Sequence, residues 1–194
     1  KLPLDIRAYG LQTALLDGLA QSGFGETLIY IQVTRGVAAR RHEFPATPVE
    51  PTVVMTFKEL YRLPQELYDC GTAVISTLDL RWKRCDIKTI SLLPNILAKQ
   101  HAVESGAYEA WLVDEDGYVT EGSASNAWIV NSDGALVTRN LSTEILGGIT
   151  RSAVLDACAA DGIAVLQGGF PLEQAKNGRE AMITSTTSFV VPVV

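Results

Sequence analysis

The chain has 194 residues, 47% of them hydrophobic and 20% charged, with 16 Lys and Arg against 22 Asp and Glu for a net charge of −6. That is a globular composition, long enough for one ordinary domain or two small ones, and its acidic balance excludes bulk binding to the phosphate backbone of nucleic acid, which needs a basic face. No run approaches the roughly 18–20 unbroken apolar residues of a membrane span, and the opening "KLPLDIRAYG" has no secretory apolar core.

From Ala8 to Gln21, "AYGLQTALLDGLAQ" sets Leu11, Leu15, Leu16 and Leu19 on one helical face, with Gly23 as the stop. "TLIYIQVTRG" then alternates as a strand does, with Ile29, Ile31 and Val33 on one side. A Pro-rich loop, "FPATPVEP", leads to a second strand at "TVVMTF". The polar, Pro-broken "KELYRLPQELYDCG" reads as a linker, and a domain boundary is expected near Arg62.

Beyond it, "TAVISTLDL" is strand-like and "LLPNILAKQHAVESG" is a helix with Pro94 near its start and Gly106 at its end. "YEAWLV", "YVTEG", "NAWIV" and "ALVTR", separated by the turns "DEDG" and "NSDG", predict a hairpin-rich mixed sheet. "ITRSAVLDACAADG" (helix), "IAVLQG" (strand), "PLEQAKNG" (helix) and "EAMITSTTS" (strand) then alternate β and α. The fold class is therefore α/β or α+β. Cys70, Cys85 and Cys158 are far apart and form no CxxC, so neither a disulfide framework nor a zinc ribbon is expected, and reduced thiols place the chain in the cytoplasm. The chain lacks an initiator Met and ends on the apolar "SFVVPVV", so we expect a piece of a longer protein.

Four short segments carry chemistry. In "RCDIKTISLL" a single lysine, Lys88, stands between Ile87 and an apolar run. Desolvating an ammonium is unfavourable; Lys88 is either a basic surface residue or an amine meant to react. Arg81, Lys83 and Arg84 add positive charge nearby, and burial or neighbouring cations make a lysine amine nucleophilic enough to form a Schiff base. In "VTEGSASN", Glu121 follows a strand and precedes a small, hydroxyl-rich turn; it is either a charged hairpin corner or a carboxylate that keeps a heteroaromatic nitrogen protonated. "ILGGITR" opens a helix on two glycines followed by Ile149 and Thr150, which suits either close packing or a phosphate. "ITSTTS" ends a strand with five hydroxyl residues, a polar loop or a second phosphate contact. A lysine, a carboxylate and two phosphate-capable loops are together the set that pyridoxal phosphate requires.

Taken in chain order, "IYIQVTRG", "RRHEFP", "RWKRCDIKTISLLPNILAKQ", "GAYEAWLV", "VTEGSASN", "ILGGITR" and "ITSTTS" resemble the fold-type IV pyridoxal-phosphate enzymes, and among them the D-amino acid aminotransferases. The resemblance implies two domains: residues 1–62 as the end of a small α+β domain plus linker, and residues 63–194 as a large cofactor-binding domain with a mixed sheet or barrel flanked by helices. It makes Lys88 the lysine that forms the aldimine and carries the proton, and Glu121 the partner of the pyridine nitrogen. Ile149 (through its backbone), Thr150 and Thr186 become phosphate ligands with Arg81 near them. Leu146 packs on the ring, and Ser123 and Ser125 line the site, with Ala124 replacing a serine often seen there. Arg40 and His42 match the Arg-x-His pair that holds the substrate carboxylate, a loop that in the family reaches into the neighbouring subunit and so implies a homodimer. His101 has no such match and is expected to be a surface or helix-packing residue. The family's opening segment, with a tyrosine and a phosphate-binding arginine, and its C-terminal strand and helix have no counterpart here.

The expected reaction is a ping-pong transfer of an amino group from a D-amino acid, D-alanine first, to a 2-oxo acid such as 2-oxoglutarate, with no metal. The same fold hosts branched-chain L-amino acid aminotransferases, R-selective amine transaminases and an aminodeoxychorismate lyase; Arg40 and His42 favour the D-series over these. A truncated, non-catalytic binding or dimerisation module is the rival from another class.

Overall fold

Leu11–Ser22 form the first helix, α1, in the computed structural model, which describes Arg7 and residues 9–194. Ala8, where the sequence begins this helix, lies outside the described residues. Leu11, Leu15 and Gly18 make its half-buried stripe, while Leu16 and Leu19 are exposed, which corrects the expectation that four leucines share the inner face. Gly18 decides the orientation. It rests on the Phe57 ring, where any Cβ would collide, so the helix turns that side down.

Phe57 belongs to β2 (Thr52–Glu59), which pairs antiparallel with β1 (Thr27–Thr34) from Thr27↔Glu59 to Thr34↔Thr52. The strand runs two residues beyond the apolar "TVVMTF", because Lys58 and Glu59 still complete the ladder. Ile31, expected inside with Ile29 and Val33, is exposed. These elements fall in one compact unit, Lys1–Tyr61; the second unit is Arg62–Val194.

The second unit opens on a short helix, α2 (Gln65–Cys70), inside the segment read as a linker. Pro64 breaks nothing there, because it stands at the N-cap, where a proline's missing N–H costs no helical bond. Next come β3 (Val74–Leu78), α3 (Leu93–Glu104), β4 (Glu109–Val113), β5 (Tyr118–Gly122), β6 (Asn126–Val130) and β7 (Leu136–Thr138). The unit closes with α4 (Ile149–Ala160), β8 (Val165–Gln167), β9 (Phe170–Pro171), α5 (Leu172–Lys176), β10 (Glu180–Ser185) and β11 (Phe189–Val193).

Two mixed sheets result, one in the order β3-β4-β5-β9 and one in the order β11-β10-β6-β7-β8. The parallel pairs are the ones joined through a helix, β3 with β4 across α3 and β7 with β8 across α4; the remaining pairs are antiparallel. Their facing sides share one core, in which Trp111, Val119 and Phe170 of the first sheet meet Ala127, Ile129, Ile183 and Val191 of the second. Trp111 and Phe170 stack edge to face at 6.1 Å. Fully burying each large side chain contributes about 1.5–3 kcal/mol. On the other side of β4, Ala98 and Ala102 of α3 lie against Ala110 and Leu112; small residues at helical spacing let the helix lie close on the sheet. Among the described residues no helix is long and apolar enough to cross a membrane.

Candidate active site

Glu121 and Gly122 end β5 in one sheet, and Asn126 begins β6 in the other, so the turn between them carries the chain from sheet to sheet. The Glu121 carboxylate is buried there, its residue 5% exposed. Asn126 Nδ2 and Leu146 N each donate to Oε2 at 3.0 Å. The Arg81 guanidinium donates through Nη1 to Oε1. Asn126 Nδ2 also donates to the Leu146 carbonyl at 2.8 Å, so the loop before α4 is fixed to both ends of the β5–β6 turn.

Arg81 is itself held on three other sides. Its Nη2 donates to Asp79 Oδ2 (2.7 Å), Thr120 Oγ1 (3.2 Å) and the Glu144 carbonyl (2.9 Å), and its Nε donates to Asp79 Oδ1 (2.9 Å). One guanidinium thus serves two carboxylates, the buried Glu121 and the half-buried Asp79. Burial lowers the tendency of Arg81 to hold its proton, but the hydrogen bond to Asp79 and the charge of Glu121 outweigh it and hold the guanidinium protonated. Burial also raises Asp79, and pairing with Arg81 and Thr120 brings it below the usual carboxylate range. For Glu121 burial wins: against the pull of Arg81 and the Leu146 N–H, it pushes the carboxyl up to about 7. The resemblance sets Arg81 near the phosphate ligands; in the structure its hydrogen bonds run to Asp79, Glu121, Thr120 and the Glu144 carbonyl.

Gly148 is the N-cap of α4 and makes no side-chain cap, so the first N–H groups of the helix, at Ile149 and Thr150, have no side-chain acceptor. A Cβ at Gly148 would collide with Asn126 Oδ1, and this close approach is what demands glycine. Thr150 Oγ1 donates to the Ser185 carbonyl at 2.9 Å, which brings the helix start against the end of β10. In the β10–β11 hairpin the Ser185 and Ser188 hydroxyls bond to each other at 2.6 Å, and Ser188 N donates to Ser185 Oγ at 3.1 Å. Two of the five hydroxyl residues are therefore used inside the turn, and Thr186 and Thr187 are exposed.

Lys88 sits in the segment between β3 and α3 and is exposed, with no hydrogen bond or ion pair to any described residue. Of the cations near it in sequence, Arg84 pairs with Asp86 at 2.9 Å and Arg81 is engaged as above, while Lys83 is exposed with no hydrogen bond or ion pair to a described residue. What fixes Lys88 is its tether. Cys85 N donates to the Thr143 carbonyl at 2.7 Å, on the loop that carries Leu146, and Asn95 Nδ2 donates to the Ser123 carbonyl at 2.8 Å, two residues after Glu121. Both flanks of Lys88 are thus bound to the surroundings of Glu121.

Ser123 and Ser125 do not present their hydroxyls to an open site: both are buried and donate to the Glu109 carboxylate, Ser125 at 3.0 Å. Ala124 between them is exposed. Arg40 and His42 lie in the other unit, on the exposed stretch between β1 and β2, and neither makes a hydrogen bond or ion pair to a described residue. His101 is exposed on α3. Sequence reasoning missed Asp79, Glu109 and Asn126. The available signal for Glu109 is a lone carboxylate inside the apolar run "YEAWLV".

Compared with known proteins, residues 1–194 match the profile of the family described as amino-transferase class IV. D-alanine aminotransferase of Staphylococcus epidermidis is 41% identical over 165 residues, which are 85% of this chain and 57% of that protein. The chain thus spans little more than half the length of that curated relative. Among solved structures, 4-amino-4-deoxychorismate lyase from Pseudomonas aeruginosa superposes with a TM-score of 0.86 at 22% identity, over 99% of this chain and 70% of that one. Branched-chain amino acid aminotransferase of Escherichia coli gives 0.83 at 23% identity, over 100% and 64%.

Proposed function

The chain belongs to the class IV amino-transferases, and we propose that the whole protein transfers the amino group of a D-amino acid, D-alanine first, to a 2-oxo acid such as 2-oxoglutarate, with pyridoxal 5'-phosphate as cofactor. The observation that carries this reading is the cluster around Glu121: a buried carboxylate, an uncapped helix start and an unpartnered lysine, on segments hydrogen-bonded to one another. These residues fit the cofactor. Among the described residues Oε1 of Glu121 receives only the Arg81 bond, and a carboxylate oxygen has a second lone pair for a ring N–H. The Ile149 and Thr150 amides with the exposed Thr186 hydroxyl suit a phosphate.

Bound there, pyridoxal phosphate would supply an electron sink for the charge that develops at the substrate α-carbon. Glu121 would hold a proton at the ring nitrogen, which the polarising Arg81 keeps from being lost to the carboxylate altogether. Lys88, free of other partners, would take the α-proton and return it one carbon along, general base and then general acid. Leu146 would cover the ring face. Arg40 and His42 would orient the substrate carboxylate through a bidentate guanidinium and an imidazole donor, on a loop supplied by a second copy in a cytoplasmic homodimer.

The test is a visible absorption spectrum of the full-length protein with pyridoxal phosphate, before and after D-alanine, with L-alanine as control. A yellow band bleached by D-alanine alone is expected. Absence of any band would end the cofactor reading, and bleaching by an L-amino acid would end the D-series assignment. Arg40→Ala with His42→Ala should raise KM for D-alanine at least about tenfold, the worth of a charge-assisted pair, with a smaller change in kcat. An unchanged KM would remove the carboxylate role from that loop.

A further inference from the structure

Glu109, the first residue of β4, is 2% exposed and forms no ion pair among the described residues. A buried carboxylate without a counter-charge is costly unless hydrogen bonds replace its hydration. Four donors do so, two on each oxygen. Ala110 N at 2.8 Å and the Ser123 hydroxyl donate to Oε1; Ala124 N at 3.2 Å and the Ser125 hydroxyl at 3.0 Å donate to Oε2. Three of these come from consecutive residues of the β5–β6 turn, immediately after Glu121 and Gly122.

The turn has little freedom beyond this. Gly122 N donates to the Ser125 carbonyl at 2.7 Å, and Ser123 N to the Ala110 carbonyl at 2.9 Å. A Cβ on Gly122 would strike Ser125 Oγ and press on Glu109 Cδ at 3.2 Å. From this turn issue both groups on which the active-site reading depends: Glu121 at its start, bonded across it to Asn126 at 3.0 Å, and the Ser123 carbonyl that anchors Asn95 and hence the far flank of the Lys88 segment.

We infer that Glu109 is a positioning residue, a buried carboxylate pin whose four acceptor bonds set the β5–β6 turn and, through it, the register of Glu121 against the Lys88 segment. The inference rests on the reading of Glu121 and Lys88 as the groups that serve the cofactor and substrate. It also explains the serines at 123 and 125, which hold the turn from within while Ala124 faces outward.

Glu109→Gln tests it in the full-length enzyme, because the amide keeps the volume but turns one oxygen into a donor facing the Ala124 N–H. Asn131→Ala is the control: Asn131 Oδ1 closes the β6–β7 turn by accepting from Asp133 N (3.1 Å) and Ala135 N (2.8 Å), outside the site. In the apoenzyme, Glu109→Gln should speed hydrogen exchange at the Ala124 amide by about tenfold, the loss of one charge-assisted bond. In the holoenzyme it should lower kcat for D-alanine about tenfold with KM little changed, as a small displacement of reacting groups does, and move the pH midpoint of the cofactor's visible band. Asn131→Ala should lower Tm and leave all three as in the parent. Should Glu109→Gln fail to fold, Ser125→Ala, which removes one of the four donors, is expected to shift the same three readouts in the same direction. Faster exchange with kcat and the band midpoint unchanged would reduce Glu109 to a packing role, and unchanged exchange would remove the pin itself. Because exchange is read without cofactor, a parent enzyme that shows no visible band would defeat the proposed activity and leave the exchange result on the pin standing.

Discussion

On the proposed function, Lys88→Ala in the full-length protein should lower kcat for D-alanine by about 10⁴-fold, the upper range for loss of a positioned general base, whereas Lys83→Ala should change it by less than about twofold, as surface substitutions do. The resemblance assigns this role to Lys88, and two of the other three lysines of the second unit are engaged elsewhere. The Lys99 ammonium donates to the Tyr108 carbonyl and lies 4.2 Å from the Tyr108 ring, so it is engaged. Lys176 pairs with Glu173 at 2.7 Å on α5. Lys83 lines a small cavity together with Asp114, Glu115 and Glu144. Lys88 is exposed, makes no hydrogen bond or ion pair to a described residue, and is tethered on one flank to the loop of Leu146 and on the other to Ser123. Stopped-flow single turnovers following the visible band measure the loss. Partial rescue by a small primary amine in solution distinguishes a missing proton carrier from a damaged fold. Loss of turnover in Lys83→Ala with Lys88→Ala active would move the assignment five residues upstream.

The sequence discloses the second unit well where period and turn agree. "YVTEG", "NAWIV" and "EAMITS" are short strand-forming runs bounded by turns, and one face of each, through Val119, Ala127 with Ile129, and Ile183, meets the shared core. It misses α2 because a proline in mid-segment reads as a break and only the fold shows that Pro64 precedes the helix. It misses β9 because two residues ending in proline carry no period at all. At the candidate site the same division holds. Glu121 stands out because it precedes glycine and a hydroxyl-rich turn, and the glycines of "ILGGITR" mark a close approach that Gly148 indeed makes to Asn126. Arg81 does not disclose its partner: Asp79 is two residues away and Glu121 forty, and no local pattern says whether a guanidinium reaches a carboxylate or a phosphate. Glu109 shows only as a lone carboxylate in the apolar run "YEAWLV", a weak signal because a single glutamate in a strand is ordinary on a surface. Only the register, which sends it to the turn of Ser123 and Ser125, makes it exceptional.

Glu121→Gln should remove both turnover and a pH dependence of stability, and the second effect is the more discriminating. The amide must set a donor against the Arg81 guanidinium or against Asn126 Nδ2 and Leu146 N, and it cannot hold a charge opposite a ring nitrogen. A loss of about 10²-fold or more in kcat is expected from removing such a preorganised group. For stability the sign follows from the carboxyl being pushed up to about 7 by burial. In the unfolded chain a glutamate titrates near about 4.3. The folded apoenzyme therefore binds the proton more tightly, and the stabilisation is fully present below about pH 4 and is lost as pH rises through 7. The difference corresponds to about 4 kcal/mol. Asp79 titrates below its usual range, so its contribution is lost only as pH falls under that window; the Cys85 thiol, raised by burial, titrates above it. Between pH 5 and 8 Glu121 thus dominates among the shifted groups of this cluster. Urea unfolding of the full-length apoenzyme should show the parent losing about 2–3 kcal/mol across that interval relative to Glu121→Gln. Parallel pH profiles for the two proteins would mean that Arg81 keeps Glu121 ionised throughout, and the carboxylate would then meet a ring nitrogen already charged.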